Sequence, residues 1–350
     1  MSRGVGEFDP IQEQFPEWGA VLVALLTQLG DVWFLTLVLV TVYWTATSRR
    51  DEIAALIGVA LGGIGLYRGF KYLFEFPRPD EPLMPVEYLP WVVQPLYEAT
   101  AFAGGYGFPS GHATNTTIVY VGLAGILTVG TRRLRYTVAA TLVTVVCVTR
   151  IALGVHYLVD VVAGVALGIA LLLVTDRLFS RYPVDRPTIA FGLAIGLSGW
   201  YLLTSNLDEE AILLAGAALG AFGGWQLIEL GRRLVESSSV SEAVVPVAVR
   251  LGLAIAAFAP IGAALEYFPL LTAYVAASGV GMATAVVITL PIARQSRHVD
   301  RVLSEVVFLA NMSFIALVAL SKPETWRAGY VAGRRYLDRL RNTVSGRERD

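Results

Sequence analysis

Two histidines, an aspartate and three cations fall in three short blocks of this 350-residue chain. The first block is Lys71, six residues, then Arg78-Pro79. The second is Phe108-Pro109-Ser110-Gly111-His112. The third is Thr149-Arg150, five residues, His156, three residues, then Asp160. Four residues apart on a helix, His156 and Asp160 point to the same side. A carboxylate there accepts a hydrogen bond from one ring nitrogen and leaves the other as a basic lone pair, the logic of an activated nucleophile held by an orienting group. Ser110-Gly111 at a helix start offers a hydroxyl and unpaired backbone N–H groups, which attract anions. Lys71, Arg78 and Arg150 add positive charge, and the planar fork of Arg matches phosphate oxygens. Such a set suits phosphoryl transfer: one imidazole takes the group while the other moves protons.

Each residue also has a plainer reading. An Arg at a helix end near lipid commonly snorkels to water, and a histidine between helices is often a packed, hydrogen-bonded residue. Pro-Ser-Gly is an ordinary loop-to-helix entry. His-x3-Asp is half of a metal site, but no further ligands accompany it and the neighbouring cations repel a metal, so neither a metal nor another cofactor is expected. The joint occurrence decides the matter. The chain has three His, and two fall in these blocks together with the sole Lys before Lys322.

Elements that could position these residues follow from composition. The chain is 55% hydrophobic and 16% charged, with a mean hydropathy of +0.61, more apolar and less charged than a soluble domain. Composition therefore excludes a soluble single-domain enzyme, a nucleic-acid binder and a disordered scaffold. The single Cys147 excludes a disulfide framework. The first 18 residues are polar and carry no apolar core of a signal peptide. Runs long enough to span lipid lie near 32–46, 53–70, 111–130, 136–153, 156–175, 188–203, 211–229, 248–267, 270–293 and 303–320. The expected fold is thus an all-α polytopic membrane bundle of about ten helices. The apolar stretch 19–29 extends the first helix or lies at the interface before Gly30-Asp31.

Basic residues are asymmetric between loops. Arg49, Arg50, Arg132, Arg133, Arg135, Arg177, Arg181, Arg186, Arg232, Arg233, Arg294, Arg297 and Arg301 fall on one alternating set, whereas 71–110 and 204–210 hold only Lys71 and Arg78. The positive-inside rule puts the Arg-rich set in the cytoplasm and the chemistry-bearing loop outside. The tail from Lys322 carries seven more Arg, and ten spans would leave it outside, against the rule.

In that order, Lys71-x6-Arg78-Pro79, Pro109-Ser110-Gly111-His112 and Arg150-x5-His156-x3-Asp160 resemble the signature of the type-2 phosphatidic acid phosphatase family, part of the lipid phosphatase and vanadium haloperoxidase superfamily. The resemblance covers about residues 20–180, half of the chain. Two departures are visible: Thr149 stands where the family usually has Ser, keeping the hydroxyl, and the additional first spanning helix of many members is not found. The resemblance implies that His156 attacks phosphorus to give a phosphohistidine, that His112 protonates the leaving group and later deprotonates water, and that Asp160 orients His156. It implies that Lys71, Arg78, Arg150, Ser110 and the Gly111 N–H hold the phosphate oxygens, with no metal needed.

On this reading residues 1–180 form the catalytic membrane domain. Residues 185–321 form a second transmembrane module of unassigned role, with close-packing spacings at Gly192-x3-Gly196 and Gly216-x3-Gly220, and residues 322–350 a basic tail. The expected partners are membrane lipid and a lipid phosphate or polyprenyl diphosphate substrate, with no nucleic acid. The second module is left open as a homo-oligomer surface, a lipid-delivery groove or a regulatory partner. In the loop 80–108, Tyr88, Trp91, Tyr97 and Tyr106 are either a lid at headgroup level or ordinary buried aromatics. The expected activity is a membrane lipid phosphatase of the cell membrane acting on the extracytoplasmic side. The alternatives are a phosphotransferase or vanadate-dependent peroxidase using the same pocket, and a non-catalytic lipid-binding or transport protein.

Overall fold

The computed structural model describes residues 3–236 except 15–18, 46–47, 80, 102–103 and 183–184, together with isolated positions between 244 and 284. All belong to the first of two compact units, Met1–Pro291 and Ile292–Asp350. The described residues with regular structure are helical. In chain order they are α1 (Phe8–Gln12), α2 (Gly19–Thr27), α3 (Val32–Thr45), α4 (Arg50–Phe74), α5 (Gln94–Ala101), α6 (Gly111–Thr116), α7 (Gly122–Ile126), α8 (Arg132–Ala152), α9 (Leu158–Arg181), α10 (Arg186–Thr204) and α11 (Glu209–Glu236).

Helix starts follow the local chemistry. Thr131 and Asp185 accept hydrogen bonds from Leu134 N–H (3.2 Å) and Thr188 N–H (3.0 Å) at the heads of α8 and α10, satisfying backbone donors that a first turn leaves free. α4 opens on Asp51 and Glu52, acids that complement the dipole. Between α6 and α7 the chain makes a π turn over Thr117–Val121. The hydroxyls of Thr114, Thr116 and Thr117 bond back to carbonyls one turn earlier at 3.0, 2.7 and 2.7 Å, a competition that loosens regular helix geometry.

α4, α8, α9, α10 and Glu209–Arg233 of α11 are long and apolar enough to cross a membrane, and α2 and α3 make a sixth span if they count as one, bent by 49°. The expected spans from 32–46 to 211–229 each coincide with a helix or with the α6–α7 run. Those at 248–267, 270–293 and 303–320 lie outside the described residues, isolated positions apart, as do the tail and His298. The count of ten is not reached among the described residues. Segment 19–29 does not continue α3. It forms its own helix, which breaks at Gly30-Asp31 and packs through Ala20, Val23 and Ala24 against Leu89, Tyr97 and the end of α8 at Ala152–Val155.

The long helices alternate between two ends. At one end Arg232 forks onto Asp51 at 2.8 and 2.9 Å, and Arg49, Glu52, Asp176 and Arg186 line one cleft with Gly125 and Ile126. The described Arg-rich loops therefore share this end. The three motif blocks share the other. Small residues let the helices approach. A Cβ on Gly164 would come within 2.5 Å of the Ser110 carbonyl, and one on Gly168 within 2.8 Å of Thr117 Cβ, so α9 lies directly on α6. α4 meets α10 the same way, with Gly58 2.8 Å from Ala190 Cβ if it carried a Cβ. Among the described residues nothing lies within 4 Å of a Cβ on Gly192 or Gly196. The close contact is supplied from the α4 side of the interface.

Candidate active site

A cavity of about 370 Å³ opens at the motif end, and Lys71, Arg78, Gly111, His112, Arg150 and His156 all line it. Three helix termini bring them there: the C-terminal turns of α4 and α8, and the head of α6. Ser110 and Asp160, expected beside them, stand behind the wall, both fully buried.

His156 sits in the loop between α8 and α9, two residues before the helix, whereas the sequence reading put it on the helix with Asp160. The i,i+4 pairing survives because Asp160 is in the first turn. The loop turns on Gly154 at φ +68°, where a Cβ would overlap the Glu81 carbonyl, so glycine is needed to aim the imidazole. His156 Nδ1 lies 3.4 Å from Asp160 Oδ2, which also accepts the Tyr157 N–H at 3.1 Å. On the other ring face Nε2 is 3.1 Å from Arg78 Nη1. A guanidinium only donates, so Nε2 is the acceptor and Nδ1 carries the hydrogen toward Asp160. Burial, reinforced by Arg78, Lys71 and Arg150, holds His156 well below the usual histidine range. The free site therefore presents a neutral imidazole with its lone pair directed to the cations.

Arg78 is held by Val155 O at 2.9 Å and Gly104 O at 3.1 Å. Burial pushes it down to about 10, still a cation at neutral pH. Lys71 donates to Tyr106 O at 2.8 Å. Arg150 is 3% exposed and reaches Thr27 Oγ1 at 3.1 Å, which removes the snorkelling alternative. Ser110 caps α6: its Oγ accepts from Ala113 N at 3.5 Å and its N–H donates to Asp160 O at 2.9 Å. Its place is at the joint of α6 with α9, while Gly111 and His112 take the wall. Across the cavity, His112 Nε2 lies 3.0 Å from Asp31 Oδ1.

Asp31, Arg68 and Asn115 also line the cavity, and the motif blocks gave no warning of them. The one signal that could have singled out Asp31 is an acid at a break in an apolar run, an expensive placement. Arg68 stands one turn before Lys71 on α4 and pairs with Glu210 at the head of α11. Asn115 stands one turn after His112, 5% exposed, and its Oδ1 has no hydrogen-bond partner among the described residues. In the 80–108 loop, Tyr97 is buried and grips Met84 N and O at 2.9 and 3.0 Å. Tyr88 and Trp91 are 78% and 80% exposed. Tyr97 thus anchors the loop and Tyr88 and Trp91 are presented, while Tyr106 packs edge-on against Tyr72 with centroids 5.7 Å apart.

Among curated proteins, phosphatidylglycerophosphatase B of Bacillus subtilis (strain 168) is 30% identical to this chain over 89 residues, 23% of this chain and 44% of that protein. The chain thus spans less than half the length of that relative. No solved structure matches. Residues 52–182 match the PAP2 superfamily, a range that contains every motif residue from Lys71 to Asp160.

Proposed function

We propose that this chain is a membrane lipid phosphatase that works through a phosphohistidine, without a metal. The observation that carries the reading is the setting of His156: Asp160 on Nδ1, Arg78 on Nε2, and His112 lining the same cavity. A phosphate entering the cavity draws Arg78, Lys71, Arg150 and the Gly111 N–H onto its oxygens, which frees the Nε2 lone pair. Nε2 then forms a bond to phosphorus as the P–O bond to the lipid breaks, and His112 gives the departing oxygen its proton. In the second half, water attacks phosphorus, its proton goes to His112, and the P–N bond breaks to release inorganic phosphate. Asp160 balances the positive charge that His156 carries in between. Charge spread over the phosphoryl oxygens is met by cations already in place.

The substrate class follows from the surroundings. Long apolar helices flank the cavity, and the relative is named for a phosphomonoester of a glycerolipid. A lipid phosphomonoester of that kind is the first candidate, and a polyprenyl diphosphate the second. The described Arg-rich loops gather at the end of the bundle away from the cavity, which supports, through the positive-inside rule, a site on the extracytoplasmic side of the cell membrane.

The test is phosphate release by the purified full chain from phosphatidylglycerophosphate, phosphatidate, lysophosphatidate and polyprenyl mono- and diphosphates. An acid-labile, His156-dependent phosphoenzyme from labelled substrate is expected with the best of them. Absence of release from every one would overturn the reading, and transfer to an alcohol in place of water would redirect it to a phosphotransferase.

A further inference from the structure

The segment ahead of α1 reaches the back of the catalytic pair. Arg3 Nη1 pairs with Asp160 Oδ1, and Nη2 donates to Pro77 O at 2.6 Å. The guanidinium carbon lies 4.9 Å from the ring centroids of both Phe76 and Tyr157 and 5.8 Å from that of Phe108. Arg is suited to such a seat, since it stacks on aromatic faces while its fork stays free to bond. The segment is fixed farther along as well. Glu7 Oε1 accepts the Leu158 N–H at the head of α9 at 3.0 Å, Glu7 Oε2 accepts Val5 N–H at 2.6 Å, and Phe8 packs on Tyr157 with centroids 5.7 Å apart.

Asp160 is fully buried, and a buried carboxylate without partners is costly. Its Oδ2 serves Tyr157 N–H and His156, and Arg3 occupies Oδ1. Other charged groups face this pair from every side: Lys71 from α4, Arg78 from the following loop, Arg150 from α8 and His112 from α6. Those four line the cavity, whereas Arg3 does not.

We propose that Arg3 is a positioning residue: clamped by three rings and the Pro77 carbonyl, it fixes the Asp160 carboxylate behind His156 and tempers its pull on the ring, without touching the phosphate. This rests on the phosphohistidine reading for its catalytic consequence, though not for the contact itself. The guanidinium draws negative charge away from the side of the carboxylate that faces His156. Removing it strengthens the pull on the His156 Nδ1–H and makes the pair bind a proton more readily.

The test compares the full chain with Arg3→Gln and Arg3→Lys in detergent by two readouts. The first is the His156 Nδ1–H proton resonance, assigned by its loss in His156→Ala. It is expected to move downfield in Arg3→Gln and by less in Arg3→Lys, which keeps the charge but cannot bridge Asp160 and Pro77. The second is the acid limb of kcat/KM on a soluble phosphomonoester, expected to move up by about one pH unit in Arg3→Gln. If Arg3→Gln does not fold, Arg3→Lys carries the same test with a smaller shift. An unmoved resonance overturns the proposal. A moved resonance with an unmoved pH profile keeps the coupling and removes His156 from the chemistry.

Discussion

Asp31 Oδ1 stands 3.0 Å from His112 Nε2, so each of the two cavity histidines meets a carboxylate, one from its own block and one from the break between α2 and α3. The carboxylate lies where it can meet a proton on that ring nitrogen. Asp31→Asn, nearly isosteric, is expected to lower kcat on lipid phosphate about tenfold, a fraction of what a whole acid–base group supplies. KM is expected to change little, because the cations that hold phosphate stay in place. An unchanged kcat would separate Asp31 from proton transfer.

The two histidines are expected to fail at different steps. His156→Ala has no atom to receive the phosphoryl group and forms no phosphoenzyme. His112→Ala lacks the proton donor, which matters for a lipid alkoxide but not for a leaving group as stable as p-nitrophenolate. With p-nitrophenyl phosphate, His112→Ala is therefore expected to give a burst of one equivalent and then stall, since water still needs a base. Steady turnover falls by about 10²–10⁴-fold. Rapid-quench measurement of the burst distinguishes the roles, and equal loss of burst in both variants would refute them.

In the proposed mechanism His156 attacks as the unprotonated ring, and burial with Arg78, Lys71 and Arg150 nearby keeps its proton affinity down. A lowered value means that the reactive form persists as pH falls through the ordinary histidine range and is lost only below it. The acid limb of kcat/KM, which reports the free enzyme, is expected below about 6.5. A profile from pH 4 to 9 with its acid midpoint at or above that value would contradict the electrostatic account.

Lys71, Arg78 and Arg150 ring the cavity where His156 waits, which supplies the positive charge that many phosphoryl-transfer sites draw from metal ions. Vanadate, which takes five-coordinate shapes like the phosphorus being transferred, is expected to inhibit competitively. EDTA is expected to leave kcat unchanged. Arg150→Lys is expected to weaken vanadate at least tenfold, because a point charge cannot reproduce the fork that reaches both Thr27 and the cavity. Inhibition curves on the purified chain check all three.

Much of the site was legible because its residues lie in short blocks whose types name their chemistry. Lys71, Arg78, Gly111, His112, Arg150 and His156 line one cavity since the helices return the blocks to one end. What could not be read are the partners from remote segments. Arg3 and Asp31 sit in stretches with no motif spacing, and only the fold brings them to Asp160 and His112. Glycine pairs show the same limit. Gly192 and Gly196 have the spacing of a packing face and meet nothing among the described residues, whereas Gly220, in the other such pair, would carry a Cβ within 2.2 Å of the Val280 carbonyl, and Gly164 and Gly168 seat α9 on α6. Spacing gives the face a residue is on, but not which face finds a neighbour.

That difference makes a paired prediction. Gly154 has φ +68° and a Cβ there would overlap the Glu81 carbonyl, so Gly154→Ala meets both a left-handed backbone and a collision. The left-handed conformation alone costs roughly 1–2 kcal/mol, and relief of the overlap must shift the loop that aims His156. Gly192 is within α10 with none of the described residues near its Cβ position, so Gly192→Ala adds no clash with them and gains about 0.5–1 kcal/mol of helix propensity. Thermal unfolding in detergent is therefore expected to fall for Gly154→Ala and to hold or rise for Gly192→Ala. Phosphatase activity should drop in the first by more than its stability loss explains, because the imidazole is displaced even in the folded fraction. Full activity per folded molecule in Gly154→Ala would mean that the loop tolerates the side chain and that His156 is aimed by Asp160 and Arg78 alone.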